Sequence, residues 1–342
     1  MSFQICSDLH LNYWWGPAGL NNIGEVVEWI KQVLHPECNS PTQLDKRSII
    51  LAGDVAPIEW EPLYLFLEGL LLCGYKTIIW TPGNHEFLSP KSSRKTIGQL
   101  EILANVRIKQ LHQKYPEKGK IYWLNHGIIK YNSVNIIGCT LWSIPDPKEP
   151  KVLGHHMFIA GEDPAKRFQE PSLNLTVQSV SVQSMVNPDS SFPISNSSTP
   201  VFLTPPIEKY DSAIYTDDTL SLNFDSYTKL ALNDQTWLLA AIQHCSNDGP
   251  ILIITHYPAA RWMDRVENAR DGKISMYTNN LPLTFFPKMV KTWISGHSHY
   301  TTRKFAELSE TRVLFVSNPI GYPREHRNSS QEYHPDWVID LS

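Results

Sequence analysis

Ser48-Ile49-Ile50-Leu51-Ala52-Gly53-Asp54 carries four apolar residues without a polar break, closed by a glycine and a carboxylate. A short apolar run bounded by Gly reads as a strand buried on both faces. Asp54 then stands at the carboxyl end of a buried strand, where open α/β sheets place their ligands. The same design recurs in Phe3 to His10, Thr77 to Glu86, Pro250 to His256 and Lys291 to His299. Each apolar run ends in Asp, Asn or His: Asp8 and His10, Asp54, Asn84 and His85, His256, then His297 and His299.

Between these strands the chain alternates. Residues 21–34, Glu59–Cys73, 94–114 and Tyr227–Cys245 have helical periodicity. Ile121–Leu124, Ile128–Tyr131 and Val134–Trp142 are short strands separated by Asn125-His126-Gly127 and Asn132-Ser133, which read as turns of an antiparallel meander. Arg312–Ser317 and Trp337–Leu341 close the chain. From Ser143 to about Asp218 the composition shifts to Pro, Ser, Thr and Asn, so a single domain over 1–342 with an insertion at about 143–218 is expected.

Composition narrows the function. A net charge of −4 over 342 residues offers no electrostatic footprint for nucleic acid. The five cysteines, Cys6, Cys38, Cys73, Cys139 and Cys245, are odd in number and widely spaced, which fits reduced thiols rather than a disulfide framework. Leu63 to Cys73 is the most apolar helical stretch, but it is too short for a bilayer and carries Glu68. The N-terminus enters a strand at once, with no room for a signal peptide. A soluble, cytoplasmic protein without a membrane contact is the expectation, and oligomeric state has no signal here.

Carboxylate, imidazole and amide oxygen without thiolate suit divalent Mn, Fe or Zn. Two ions about 3.5–4 Å apart, as phosphoryl hydrolases use, need a shared carboxylate. Glycines beside the ligands allow sharp turns and close approach of backbone. Residues two apart on an extended segment point the same way, so Asp8/His10 and His297/His299 can each face one cavity.

The ordered set Asp8-x-His10, Gly53-Asp54, Gly83-Asn84-His85-Glu86, His256 and Gly296-His297-x-His299 resembles the calcineurin-like metallophosphoesterase superfamily. The resemblance covers residues 1–142 and roughly 225–342. It is closest to the small predicted phosphohydrolases, through Ser7-Asp8-Leu9-His10-Leu11, Thr255-His256-Tyr257-Pro258 and Asn318-Pro319-Ile320-Gly321-Tyr322. Many of those relatives carry Arg where this chain has Ile320. The resemblance implies a four-layer α/β/β/α sandwich of two mixed sheets with outer helices. It implies two divalent ions bridged by Asp54, with Asp8, His10 and His299 completing one site and Asn84, His256 and His297 the other. It also implies that His85 faces the substrate and assists the leaving oxygen. Glu86, beside it, is read as holding the turn rather than doing chemistry.

The expected function is phosphodiester hydrolysis of a small molecule, such as a cyclic or linear nucleotide, by a metal-bridging hydroxide. A phosphomonoesterase, and in a different class an inactive interaction scaffold, are the alternatives. Val55 to Trp60 replaces the Asp-Arg-Gly of the superfamily's protein phosphatases, and no ligand is lost, as a scaffold would allow. Two further features stay open. Tyr13, Trp14 and Trp15 either stack a planar group or pack their loop, and Arg261 and Arg265 either meet phosphate or face solvent.

Overall fold

The apolar runs become the parallel centres of two sheets. The computed structural model describes residues 2–16, 19–34, 47–90, 93, 95–146, 201–203, 224–265, 270, 274–308, 311–323, 325 and 333–340. In the first sheet, β1 (Ser2–Cys6), β2 (Arg47–Ala52), β3 (Tyr75–Thr81) and β4 (Lys120–Trp123) run parallel. The edge strand β12 (Val338–Asp340) lies antiparallel on β1, giving the order β12-β1-β2-β3-β4. The second sheet contains β5 (Gly127–Tyr131), β6 (Val134–Cys139), β7 (Val201–Leu203), β8 (Ile251–Thr255), β9 (Val290–Ser295), β10 (Thr302–Leu308) and β11 (Thr311–Ser317). Its order is β10-β11-β9-β8-β6-β5-β7, parallel through β6, β8, β9 and β11 and antiparallel at both ends.

Strand alternation sets the layers. In β2, Ile50 and Ala52 join a core shared between the sheets, while Ile49 and Leu51 face outward. The outward side is covered by α2 (Ile23–Val33), α3 (Pro62–Leu72) and α4 (Ile97–Lys114), through Val26, Ile30, Phe66, Leu70, Leu100 and Ile108. In β8, Leu252 and Ile254 face the first sheet, while Ile251 and Ile253 meet Trp237, Leu238 and Ile242 of α5 (Phe224–Cys245). The result is the expected helix–sheet–sheet–helix stack. Each Ile with no exposed surface on these strands contributes about 1.5–3 kcal/mol of apolar burial. Two short helices, α1 (Leu11–Trp14) and α6 (Ile274–Tyr277), lie in the loops at the strand ends.

One sequence expectation changes, and one strand had not been expected. The meander does not form: β4 is the parallel edge of the first sheet, and only β5 and β6 make an antiparallel hairpin. Asn125-His126-Gly127 is therefore the crossing between sheets rather than a hairpin turn. It is held by side chains: Asn125 bonds Glu101 of α4 and accepts from the Thr140 N–H, and His126 bonds Asp234 of α5. The strand β10, with its largely exposed charged face, had no apolar run to announce it. Of the insertion expected at about 143–218, only 143–146 and 201–203 are described, and the remainder lies outside the described residues. Val201–Leu203 pairs with β5.

Cys6, Cys73, Cys139 and Cys245 are buried free thiols, and Cys38 lies outside the described residues. Among the described residues no helix is long and apolar enough to cross a membrane.

Candidate metal centre

Each candidate ligand follows a parallel strand: Asp8 and His10 after β1, Asp54 after β2, Asn84 and His85 after β3, His256 after β8, His297 and His299 after β9. The backbone there is unusual. Asp8, His10, Asp54, His297 and His299 have φ of 52°, 45°, 55°, 66° and 50°, in the left-handed region that costs an L-residue roughly 1–2 kcal/mol. Asp8/His10 and His297/His299 thus converge through left-handed turns, not through the alternation of an extended segment. Strain of this kind persists where neighbouring bonds over-determine it. Here the Asp8 N–H donates to Gly53 O at 2.9 Å, His10 N–H to Asp54 O at 2.9 Å and Gly296 N–H to His256 O at 2.9 Å.

These turns bring all eight candidate residues together. Asp54 lies between two groups of imidazoles, its Oδ2 3.3 Å from His256 Nε2, 3.8 Å from His10 Nε2 and 3.9 Å from His85 Nε2. On one side His299 Nε2 approaches His10 Nε2 at 3.0 Å and Asp8 Oδ1 at 3.4 Å. On the other, His256 Nε2 is 3.2 Å from both Asn84 Oδ1 and His297 Nδ1. Candidate donor atoms form three groups, each within 4.8 Å: Asp8, His10, His299; Asp54, His256, His297; and His10, Asp54, His85. Proximity therefore associates His85 with the cluster as closely as the two expected ligand sets. Its side chain is 14 % exposed, close to the 11 % of His299 and above the 1 % of His10 and 0 % of His256.

The surrounding bonds fix which ring nitrogen faces inward. His256 Nδ1 donates to Ala52 O at 3.0 Å, so Nε2 faces the cluster. His297 Nε2 donates to Met276 O at 3.2 Å, leaving Nδ1 inward. His299 Nδ1 binds Glu325 Oε2 at 2.7 Å, a carboxylate–imidazole pair that orients a ligand. Asp8 accepts the His297 N–H at 2.9 Å and the Ser7 hydroxyl at 2.5 Å. Glu86 is the staple of the central turn: its carboxylate accepts the N–H groups of Asp54 (2.9 Å), Val55 (2.7 Å) and Gly83 (2.7 Å). It performs the turn-holding role expected of it.

The electrostatics divide the cavity: the carboxylates raise His256 and His299, while burial lowers His10 and His85. Burial alone would raise the Asp54 carboxyl, but His256, His85 and His10 hold it well below the usual carboxylate range. Burial disfavours charged imidazole, yet Asp54 outweighs it at His256, which is pushed up to about 9. At His299 burial is outweighed by Asp8 and Glu325, which push it up to about 10. Burial and the neighbouring His85 hold His10 well below its usual range. Burial and the Asp54 charge bring Glu86 up to about 7. Facing ring nitrogens 3.0 and 3.2 Å apart, beside carboxylates, suit a cation that satisfies several lone pairs at once. The donor set fits divalent ions of the Mn, Fe and Zn type. Gly53 and Gly83 permit this density: a Cβ at Gly53 would stand 2.3 Å from His256 Nδ1, and one at Gly83 2.2 Å from Asp54 Oδ1.

The aromatic trio divides. Trp15 packs on Trp29, Trp60 and Phe66, so it belongs to the core. Trp14 donates to Gly321 O at 3.0 Å. Tyr13 is 52 % exposed, its ring 5.9 Å from His10 and 6.3 Å from His85. Arg261 is exposed, whereas Arg265 donates through Nη2 to His299 O at 2.7 Å. Sequence reasoning assigned no role to Tyr322 or Glu325. Tyr322 stacks on His10 at 4.1 Å, and its hydroxyl lies 3.3 Å from His85 Nε2. Its only signal was its place in the Asn318–Tyr322 motif.

A family model described as calcineurin-like phosphoesterase matches residues 1–178. That stretch includes Asp8, His10, Asp54, Asn84 and His85, and the other three histidines follow it. No curated protein matches the chain. Among solved structures, phosphopantetheinyl hydrolase from Mycobacterium tuberculosis is similar at 16 % identity and a TM-score of 0.47, over 98 % of this chain and 94 % of that one. A putative 5'-nucleotidase from Staphylococcus aureus has 13 % identity and a TM-score of 0.37, over 93 % of this chain and 48 % of that one. A sulfate thiohydrolase from Thermus thermophilus has 10 % identity and a TM-score of 0.37, over 92 % and 51 %. The chain thus spans about half the length of the last two. Likenesses this distant transfer no substrate.

Proposed function

Because this chain belongs to the calcineurin-like phosphoesterase family, we propose that it is a metal-dependent phosphodiesterase acting on a small molecule. The observation that carries this reading is Asp54, one carboxylate oxygen shared between the His10 and the His256 sides of the cluster. Asp8, His10 and His299 would hold one divalent ion, Asn84, His256 and His297 a second, with Asp54 common to both. When bound, such ions supply Lewis acidity toward a phosphoryl oxygen and activate water near neutral pH.

The protein's own groups do the rest. Glu86 holds the Asp54 turn, and the Asp54 carboxylate accepts the His85 N–H at 2.8 Å, which fixes where the His85 ring starts. His85, on the more exposed side, offers a ring nitrogen to the leaving oxygen. Proton donation by a positioned imidazole contributes roughly 10²–10⁴-fold. The diester preference rests on the groups around His85. Tyr13 and Tyr322 bring phenol rings beside His85, while Arg265 keeps its positive charge and donates through Nη2 to the His299 carbonyl. Neutral donors suit a singly charged diester better than the dianion of a monoester. Cyclic and linear nucleotides are the substrate class put first, with Tyr13 as the exposed planar surface for a base.

The test is a metal-reconstituted screen with Mn, Fe or Zn, comparing bis-p-nitrophenyl phosphate, p-nitrophenyl phosphate and cyclic nucleotides. Faster turnover of the diesters is expected. A clear preference for the monoester would overturn the diester reading. Metal binding without hydrolysis of any ester would favour a scaffold.

A further inference from the structure

We infer that the Tyr322 hydroxyl is a hydrogen-bond donor to the phosphoryl oxygens of the substrate, working beside His85. This rests on the phosphoesterase reading above. Tyr322 reaches the cluster from the far end of the chain, in the segment after β11. Its ring lies nearly parallel on His10, with centroids 4.1 Å apart and planes at 19°. Its hydroxyl is 3.3 Å from His85 Nε2, the atom that stands 3.9 Å from Asp54 Oδ2. The phenol and the imidazole therefore converge on one point at the partly exposed edge of the carboxylate–histidine cluster.

The segment that carries it is tied to the cluster at every step. The Ile320 N–H donates to Ser7 O at 3.0 Å and the Gly321 N–H to Asp8 O at 2.8 Å. The Tyr322 N–H donates at 2.8 Å to Glu325 Oε2, the oxygen that also holds His299 Nδ1 at 2.7 Å. The Asn318 side chain donates to Ile5 O at 2.9 Å, anchoring the start of the strap on β1. Gly321 has φ of 78°, and a Cβ there would stand 2.6 Å from Glu325 Oε2, so the turn that aims Tyr322 requires glycine. A donor fixed in this way needs no reorganisation as charge develops on phosphoryl oxygen. With His85 protonated, its Nε2–H meets the Tyr322 oxygen and the Tyr322 O–H is left to donate to an equatorial phosphoryl oxygen; the Nε2 proton then passes to the leaving oxygen and His85 ends neutral. No covalent bond to Tyr322 forms or breaks.

The test separates hydroxyl from ring. Tyr322→Phe keeps the stack on His10 and removes only the donor. In the metal-loaded enzyme, kcat/KM on bis-p-nitrophenyl phosphate is expected to fall about 10²-fold, as for loss of one oxyanion donor. Inhibition by orthovanadate should weaken alongside it, while metal content stays at the wild-type level. Replacement of Tyr322 by 3-fluorotyrosine keeps the donor and should keep most of the activity, whatever the folding yield of the Phe variant. The proposal is overturned if Tyr322→Phe retains wild-type kcat/KM and vanadate inhibition. It is equally overturned if metal content falls in step with activity, which would make Tyr322 a brace for His10. An active wild type with an unaffected Phe variant removes this inference alone. A metal-loaded wild type that hydrolyses no phosphoester and binds no vanadate removes the phosphoesterase reading with it.

Discussion

Replacing Gly83 by Ala adds one methyl group at the centre of the cluster. Gly83 is not among the glycines with positive φ, so Ala brings volume there without left-handed strain. Its Cβ would stand 2.2 Å from Asp54 Oδ1, 2.7 Å from the Asp54 nitrogen and 2.8 Å from His256 Cδ2. Ordinary contact begins at 3.4 Å, so the carboxylate oxygen must retreat by 3.4 − 2.2, about 1.2 Å. It has little freedom to do so. The Asp54 nitrogen is held by Glu86 at 2.9 Å, and Oδ1 accepts the His85 N–H at 2.8 Å. Overpacking of this kind costs about 1–3 kcal/mol of stability. Misplacement of a catalytic group by about 1 Å costs on the order of 10²-fold in rate. Gly83→Ala should therefore lower the denaturation midpoint, lose bound metal and drop kcat/KM by about two orders of magnitude. Gly98→Ala is the matched control, because a Cβ there meets nothing within 4 Å inside α4. It should stabilise by up to about 1 kcal/mol and leave metal untouched. Metal analysis after gel filtration, with urea melts of both variants, reads the outcome. Wild-type metal content and turnover in Gly83→Ala would refute the placement of Asp54 as the shared ligand.

Asp54→Asn removes the shared charge and should release both ions and abolish turnover; two ions still tightly bound, with normal rates, would disprove the bridge. His85→Ala should keep its metal and lose roughly 10²–10⁴ in kcat, most on esters with poor leaving groups. A parallel loss of metal would instead assign His85 to the ligand set, where its distances to His10 and Asp54 also allow it. Glu86→Gln turns an amide N–H₂ toward backbone donors that now meet a carboxylate oxygen. It should cost about 1–3 kcal/mol for each donor left unsatisfied, seen in chemical denaturation; an unchanged midpoint would count against the staple.

The cluster was legible in sequence because burial and chemistry coincide there. Strands such as β2 and β8 are covered on both faces, so their apolar runs are unbroken, and a candidate ligand stands within two residues of each run's end, Asp54 after Gly53 and His256 after Thr255. The crossing at Asn125-His126-Gly127 was not legible, since a short polar connector looks the same whether it returns to one sheet or passes to another. What decides is tertiary: Asn125 and His126 find Glu101, Thr140 and Asp234, residues a local reading does not join. The strand β10 exposes Arg303, Lys304 and Phe305 together, so it lacks the alternation that marks a half-buried strand. Asp8/His10 and His297/His299 come together through left-handed φ at non-glycine residues rather than through strand alternation, and such a φ has no compositional signature. Tyr322 and Glu325 reach the cluster only because β11 lies beside β9, a neighbour relation set by the sheet rather than by sequence spacing.

The two sheets contribute unequally timed halves of one centre. Asp8 through His85 leave the first sheet early in the chain, while His256, His297 and His299 belong to strands near its end. The bond from the His297 N–H to Asp8 closes a separation of 289 residues, and His256 to Asn84 one of 172. Contacts of such range form late, after loop-closure entropy has been met. A nascent chain holds neither candidate ligand set complete until His297, and not both until His299, has emerged and the sheets have docked. Metal uptake during refolding, if the candidate sets bind it together, would therefore time sheet docking rather than the formation of either sheet's own strands.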